Sequence, residues 1–167
     1  MLDRQVVQIE PEPKQAENTW PFSSFAATSN LIVLGDPGAG KTELFRQAAE
    51  GAGERFMTVH HFLMTPTQRL SGERTLWIDA LDETRSGRGD KSTIDRLIEK
   101  LHAVNPQNVR LSCRVADWLG KSDLKALTPY FESNGGAPTV VQLQPLTREE
   151  QRQILLANDR AEPDRFL

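Results

Sequence analysis

The sequence has few of the features that mark secreted or membrane proteins. Cys113 is the one cysteine among 167 residues, so no disulfide can form within the chain and a reducing compartment is expected. The N-terminus lacks the apolar core of a signal peptide. No run of residues approaches the roughly 20 apolar positions of a membrane span. We therefore expect a cytoplasmic protein with no membrane partner.

The sequence also lacks an excess of either charge. Twenty Lys and Arg residues stand against 23 Asp and Glu residues, which leaves a formal net charge of −3. The broad basic footprint of a nucleic-acid-binding protein is therefore missing. Hydrophobic residues make up 38% and charged residues 26% of the chain, a composition typical of a globular protein. A chain of this length suits one domain with a proper core.

The most informative stretch that is present fits G-x-x-x-x-G-K-[ST], the phosphate-binding P-loop. An apolar strand pattern at residues 30–34 precedes it and a helical pattern follows it. The candidate nucleotide-binding residues are Gly35, Asp36, Pro37, Gly38, Ala39, Gly40, Lys41, Thr42 and Glu43. The glycines let successive N–H groups face one concavity, to which the following helix adds the positive end of its dipole. Lys41 is expected to reach the β- and γ-phosphates and Thr42 to bind Mg²⁺.

A second apolar strand pattern, residues 75–79, ends in the carboxylate of Asp79. Open α/β sheets bind ligands at the carboxyl ends of their strands. We therefore expect Asp79 to hold Mg²⁺ opposite Thr42, which is the Walker B role. The acidic pair Asp82 and Glu83 follows, and an acid at this spacing can orient or deprotonate a water near the γ-phosphate. A solvated loop or a helix cap is the alternative for each of these two acids.

Arg114 follows a third strand pattern, residues 109–113. An arginine at this end of a strand points into the crevice where the γ-phosphate is expected, and it would sense that phosphate there. A surface ion pair with Asp117 is the alternative. Cys113 is expected to be a small buried hydrophobe, because the sequence places no base beside it.

The remaining patterns complete an alternating α/β arrangement. We predict helices over residues 43–49, 93–104 and 121–132, strands over residues 55–63 and 139–143, and a last helix behind a capping box of Thr147 and Glu150. His60 and His61 fall in the predicted strand and are expected to be structural. Residues 1–29 are expected to form an arm. In that arm, Trp20-Pro21-Phe22 either clasps the core or covers the adenine.

Four motifs occur in one order at reasonable spacings: the P-loop, residues 76–83, Ser112-Cys113-Arg114 and residues 143–147. Together they resemble the NACHT-type ATPase module of the STAND class of signal-transduction NTPases, within the AAA+-like P-loop ATPases. The resemblance covers residues 30–158. It implies a three-layer α/β fold with a five-stranded parallel sheet, in the order 5-1-4-3-2, that binds ATP and Mg²⁺. Residues 113–118 look like bacterial members, many of which act in antiphage defence.

The resemblance also implies a division of the chain into an arm (1–29), an NTPase core (30–158) and the start of a helical lid (159–167). STAND proteins continue into further domains, so a fragment is expected, with those domains or other subunits as partners. Two functions stay open: a switch that hydrolyses ATP, and a nucleotide-holding scaffold without turnover. A GTPase fits less well, because Asp82 stands where its Asp-x-x-Gly motif needs glycine.

Overall fold

A computed structural model describes residues 3–11, 19–81, 91–118 and 121–157 of the chain. The strands among these residues are β1 (Gln5–Glu10), β2 (Thr19–Pro21), β3 (Asn30–Leu34), β4 (Arg55–Thr58), β5 (Thr75–Asp79), β6 (Asn108–Cys113) and β7 (Thr139–Leu143). The helices are α1 (Lys41–Ala52), α2 (Val59–Met64), α3 (Lys91–Val104), α4 (Lys121–Ser133) and α5 (Arg148–Ala157). No helix among them is long and apolar enough to cross a membrane.

The described strands form one mixed sheet in the order β2-β1-β7-β3-β6-β5-β4. The five strands from β7 to β4 are parallel and follow the predicted order. The predicted count of five is wrong, because β1 pairs antiparallel with β7 and β2 pairs antiparallel with β1. The expected N-terminal arm therefore contains two strands of the sheet. Of β1 only Val6 is fully buried, which is too weak an alternation to predict a strand.

The central strand β3 has all five residues buried because both faces of the sheet are covered. Ile32 and Leu34 belong to the apolar cluster that α3 and α4 complete on one face. Leu31 and Val33 belong to the cluster on the other face, which contains the apolar side of α1. This arrangement is the reason for a continuous apolar run instead of an alternating one.

The strand predicted over residues 55–63 is wrong in its second half. It ends at Thr58, whose hydroxyl accepts a hydrogen bond from the His61 N–H (3.2 Å) and caps α2. His60 and His61 therefore lie on a helix. Val59 and Phe62, which seemed to continue the strand, are buried three residues apart on that helix, a spacing that a helix face also allows.

In the N-terminal segment, the structure describes the predicted clasp of Trp20-Pro21-Phe22. Phe22 is buried and its ring centroid lies 6.4 Å from that of Trp77, as a clasp on the core requires, whereas Trp20 is 44% exposed.

The predicted capping box is confirmed. The Thr147 N–H donates to Glu150 Oε2 (2.7 Å) and the Glu150 N–H donates to Thr147 Oγ1 (3.2 Å). The predicted lid, residues 159–167, lies outside the described residues.

Candidate functional site

The candidate site lies where three neighbouring parallel strands end. β6 lies between β3 and β5, with Leu34 paired to Cys113 and Ile78 paired to Leu111. The Gly35 N–H donates to the Cys113 carbonyl (3.2 Å), which ties the first residue of the P-loop to the end of β6. The P-loop, Asp79 and Arg114 therefore all begin at the same edge of the sheet, as the sequence predicts for a ligand site.

The P-loop closes through a tight turn. The Ala39 N–H donates to the Asp36 carbonyl (3.1 Å) around Pro37. Gly38 (φ 78°) and Gly40 (φ 86°) both have left-handed backbone conformations. Side chains at these two positions would strain the loop. The motif needs its glycines here because their conformations turn the chain from β3 into α1.

The first turn of α1 has no cap from a described side chain, and its first internal bond runs from the Leu44 N–H to the Gly40 carbonyl (2.9 Å). The N–H groups at such a helix start have no acceptor within the helix and attract anions. The Glu43 carboxylate accepts hydrogen bonds from Arg46 and Gln47, which lie further along the same helix. The bond from Arg46 is the main cause that lowers the pKa of Glu43.

The Lys41 ammonium lies across the P-loop. Its Nζ donates to the carbonyl oxygens of Gly35 (2.7 Å) and Asp36 (3.1 Å). A Cβ atom on Gly35 would lie 3.2 Å from Lys41 Cδ and 3.4 Å from Leu143 Cβ. The missing side chain of Gly35 therefore leaves the space in which the lysine stem lies.

Asp79 is a buried carboxylate with a defined partner. It is 2% exposed and accepts a hydrogen bond from the Ser112 hydroxyl. Ser112 in turn accepts from the Ala80 N–H (3.0 Å), and Ala80 has a left-handed φ of 61°. Ser112 thus orients both the carboxylate and the chain that leaves β5. The sequence offers one signal for this role, a hydroxyl in an otherwise apolar strand end.

The other proposed metal ligand, Thr42, is exposed in the first turn of α1. A hydroxyl and a carboxylate are hard oxygen donors of the kind that Mg²⁺ prefers. The chemistry of this donor pair therefore fits magnesium.

The three candidate catalytic residues differ in what the structure describes. Arg114 is half-buried, and its carbonyl accepts the N–H groups of Asp117 (3.2 Å) and Trp118 (3.0 Å) in a turn after β6. This turn keeps Arg114 at the ligand edge of the sheet. Asp82 and Glu83 lie outside the described residues. Their roles therefore stay predictions.

A cavity of about 560 Å³ opens beside Ala80 at the same edge. Its described lining includes Thr58, His60, Thr93 and Arg96 from β4, α2 and α3. Of these elements, the strand β4 lies on the far side of β5 from the P-loop strand β3. The described lining of this cavity contains no residue of the P-loop, so the cavity and the phosphate loop are separate features.

Sequence reasoning missed Arg4, which contacts the P-loop from the residue just before β1. Arg4 is 5% exposed, and its guanidinium donates to the carbonyls of Ala39 (2.7 Å) and Gln144 (2.7 Å). Burial lowers the pKa of Arg4, and Glu150, 3.6 Å away, partly opposes this effect. No local pattern could have identified this residue, because its partners lie 35 to 140 positions further along the chain.

No family model and no curated protein matches the sequence. Among solved structures, the chain is similar to a Bacteroides Pif1 bound to ssDNA (16% identity, TM-score 0.49, 85% of this chain covered). It is also similar to a Pif1 helicase from a structure of DNA unwinding at forked dsDNA (16% identity, TM-score 0.47, 81% of this chain covered). A third similar structure is that of shikimate kinase from Acinetobacter baumannii in complex with shikimate (20% identity, TM-score 0.38, 87% of this chain covered).

The chain spans 45% of the length of each Pif1 chain and 75% of the shikimate kinase chain. The chain's own features are a parallel sheet in the order β7-β3-β6-β5-β4, a glycine turn between β3 and α1, and a buried aspartate at the end of β5. With these features the chain has the fold of a P-loop NTPase.

Proposed function

We propose that this chain is an ATP-binding switch module of the NACHT type, in the STAND class of NTPases. The observation that carries the proposal is the P-loop itself. Its glycines take left-handed conformations, the start of α1 has no cap from a described side chain, and the Lys41 ammonium lies 2.7 Å from the carbonyl of Gly35. Such a combination of backbone N–H donors, helix dipole and lysine suits a polyphosphate.

Each part of the loop has a proposed task. The N–H groups of the loop and of the first turn of α1 bind phosphate oxygens, and Lys41 exchanges its carbonyl partners for oxygens of the β- and γ-phosphates. Thr42 and Asp79 would hold Mg²⁺, which neutralises phosphate charge when it is bound. Ser112 keeps the Asp79 carboxylate oriented.

Hydrolysis separates the two forms of this proposal. In the switch, Asp82 or Glu83 orients the attacking water and Arg114 senses the γ-phosphate. In the alternative, a scaffold that holds nucleotide without turnover, these residues have no catalytic task. A single-turnover measurement of phosphate release decides between them. Release that disappears in Glu83→Gln or Asp82→Asn supports the switch, whereas no release from the unmodified chain supports the scaffold.

The finer assignment has its support in the sequence. The small residue Ala80 and the acidic pair after Asp79 match the second acidic motif of NACHT modules, and residues 113–118 look like bacterial members. Because of these matches, we propose a part in antiphage signalling. The partners would be further STAND domains or other subunits. Co-expression with such domains and size-exclusion chromatography with ATP would test the partnership.

Calorimetric titration of the purified chain with ATP, with GTP and with Mg²⁺ present tests the proposed binding. We expect ATP to bind in the micromolar range and GTP to bind more weakly. Lys41→Ala should weaken ATP binding about 100-fold, which corresponds to about 2.7 kcal/mol for a charged contact to two phosphates. Lys125→Ala removes an exposed lysine from α4 and is the matched control. Equal ATP affinity in both variants would contradict the assignment of the P-loop.

A further inference from the structure

Arg4 links three segments that are far apart in the sequence. Its Nη1 donates to the Ala39 carbonyl in the P-loop, and its Nη2 donates to the Gln144 carbonyl just after β7. Its Nε lies 3.6 Å from Glu150 Oε1 in the first turn of α5. The Phe22 N–H donates to the Arg4 carbonyl (2.8 Å), so the backbone of the arginine is also fixed.

The contact with Ala39 bears directly on the phosphate-binding face of the loop. A trans peptide is planar, and its C=O and N–H point in opposite directions. Arg4 holds the Ala39 carbonyl, so the N–H of the same peptide, which belongs to Gly40, points away from Arg4. A Cβ atom on Gly40 would lie 3.2 Å from Arg4 Nη1. The guanidinium therefore packs against the back of the loop and leaves its opposite face to a ligand.

Core stability alone is a poor explanation for this arginine. Burial of a guanidinium costs free energy unless its donors are satisfied. Arg4 Nε makes no hydrogen bond with any described residue, and Glu150 lies beyond hydrogen-bond distance from it. The two satisfied donors both go to main-chain carbonyls at the ligand edge of the sheet. The planar fork of arginine suits two carbonyls at fixed positions, which a single ammonium cannot match.

We propose that Arg4 is a positioning residue of the phosphate-binding loop. It holds the Ala39–Gly40 peptide so that the Gly40 N–H faces a nucleotide phosphate, and it couples the loop to the start of α5 through Gln144 and Glu150. Arg4 itself touches no phosphate. The inference depends on the proposed binding of ATP, and it names a residue outside the P-loop motif that tunes this binding.

The test compares Arg4→Met and Arg4→Lys with the unmodified chain, with calorimetric titrations of Mg²⁺·ATP and of inorganic tripolyphosphate. Arg4→Met should weaken the binding of both ligands by the same factor, about tenfold, because loss of the guanidinium acts on the phosphate-binding amides. Arg4→Lys should recover part of the affinity, since an ammonium can still donate to one carbonyl. Thermal melts keep every titration at a temperature where the variant is folded. If Arg4→Met does not fold, Arg4→Lys against the unmodified chain makes the same comparison.

Arg110→Met is the matched control. Arg110 is also buried, and its guanidinium donates to two main-chain carbonyls, those of Ala26 and Thr28, which precede β3 and lie outside the P-loop. Both affinities should therefore change less than about twofold in this variant. Unchanged affinities in Arg4→Met, or a loss for ATP alone, overturn the inference and leave the proposed function standing. No binding of either ligand by the unmodified chain overturns the proposed function and this role with it.

Discussion

Three buried polar side chains, Arg4, Asp79 and Ser112, fix the geometry at the ligand edge of the sheet. Each is at most 5% exposed, and each has a hydrogen-bond partner in a different segment of the chain. A buried polar group that loses its partner costs about 1–3 kcal/mol. These residues therefore hold their segments in one arrangement.

The P-loop residues and Asp79 could be placed from the sequence because their signals are local: a glycine pattern and a strand that ends in an acid. The positioning role of Arg4 has no signal in the sequence, and that of Ser112 has only the hydroxyl in an otherwise apolar strand end. Arg4 lies in a stretch without a clear period, and its role depends on a carbonyl 35 residues away. Ser112 matters only because β5 and β6 are neighbours. Contacts of this kind are products of the tertiary fold.

Ser112→Ala should weaken the effect of Mg²⁺ on ATP affinity. Without the hydroxyl, the Asp79 carboxylate and the Ala80 N–H lose their shared partner, so the carboxylate is no longer oriented. Titrations with and without Mg²⁺ measure this effect, and we expect the gain in affinity from Mg²⁺ to fall about fivefold to tenfold. Urea denaturation should show a loss of about 1–3 kcal/mol in unfolding free energy.

Thr75→Val is the matched control for that variant. It removes another buried hydroxyl, at the opposite end of β5, which accepts a hydrogen bond from Asn108 Nδ2 (3.2 Å). It should reduce stability without changing the Mg²⁺ effect. A Mg²⁺ effect that is equal in the two variants would count against the positioning role of Ser112.

Tyr130 should make stability fall at high pH. Its hydroxyl is buried without a hydrogen bond to any described residue, and burial raises its pKa to about 12. An unfolded tyrosine ionises near pH 10. Because the unfolded chain releases its proton first, the unfolding free energy should fall between pH 10 and pH 12. Below pH 10 the contribution of this group is constant.

Tyr130 is the single tyrosine of the chain, so the ultraviolet absorbance of phenolate reports on it alone. Tyr130→Phe removes the unpaired hydroxyl and should leave stability at neutral pH unchanged or about 1 kcal/mol higher. The extra loss of stability between pH 10 and pH 12 should vanish in this variant. An ordinary phenolate titration near pH 10 in the folded chain would disprove the prediction.

Among the elements, the hairpin of β1 and β2 is the part that sequence patterns predicted least well. β1 has one fully buried residue, and β2 has three residues and ends in a proline. Propensity and periodicity are weak over such short segments. The helix α2 is a similar case, since a cap at Thr58 and not the apolar pattern decides where β4 ends. The long, strongly patterned elements β3, β5, α3 and β7 agree with their predictions.

Docking of the hairpin depends on Val6, which is fully buried against the cluster that includes α1. Val6→Ala should lower the unfolding free energy by about 1–2.5 kcal/mol, through lost apolar burial and a small cavity. Val7→Ala is the control, because Val7 is a neighbouring, half-buried residue of the same strand. Its cost should stay below about 1 kcal/mol. If urea denaturation shows equal losses of unfolding free energy in Val6→Ala and Val7→Ala, Val6 does not anchor the hairpin.

At the scale of the whole molecule, the site joins both ends of the described chain. The P-loop follows the central strand β3, Arg4 comes from the first segment, and Glu150 comes from the last helix. A ligand that binds the folded loop and not the unfolded chain stabilises the entire unit. The melting temperature is therefore a direct measure of nucleotide binding.

Mg²⁺·ATP at 100 times its dissociation constant should add about 2.7 kcal/mol of stability. For a chain of 167 residues this gain corresponds to a rise of about 5–10 °C in melting temperature. Scanning calorimetry measures it, and Lys41→Ala at the same concentrations should show almost no rise. A rise of the same size in Lys41→Ala would mean that ATP binds somewhere other than the P-loop.

The hairpin of β1 and β2 also has a consequence for the behaviour of the protein in solution. It covers the open side of β7, and the outermost strand β2 is only three residues long and ends in Pro21. If the hairpin detaches, β7 presents T-V-V-Q-L as an uncharged edge without proline. Such an edge is a template for strands from other chains. Damage to the N-terminal segment should therefore first appear as polymerisation and precipitation of the purified protein.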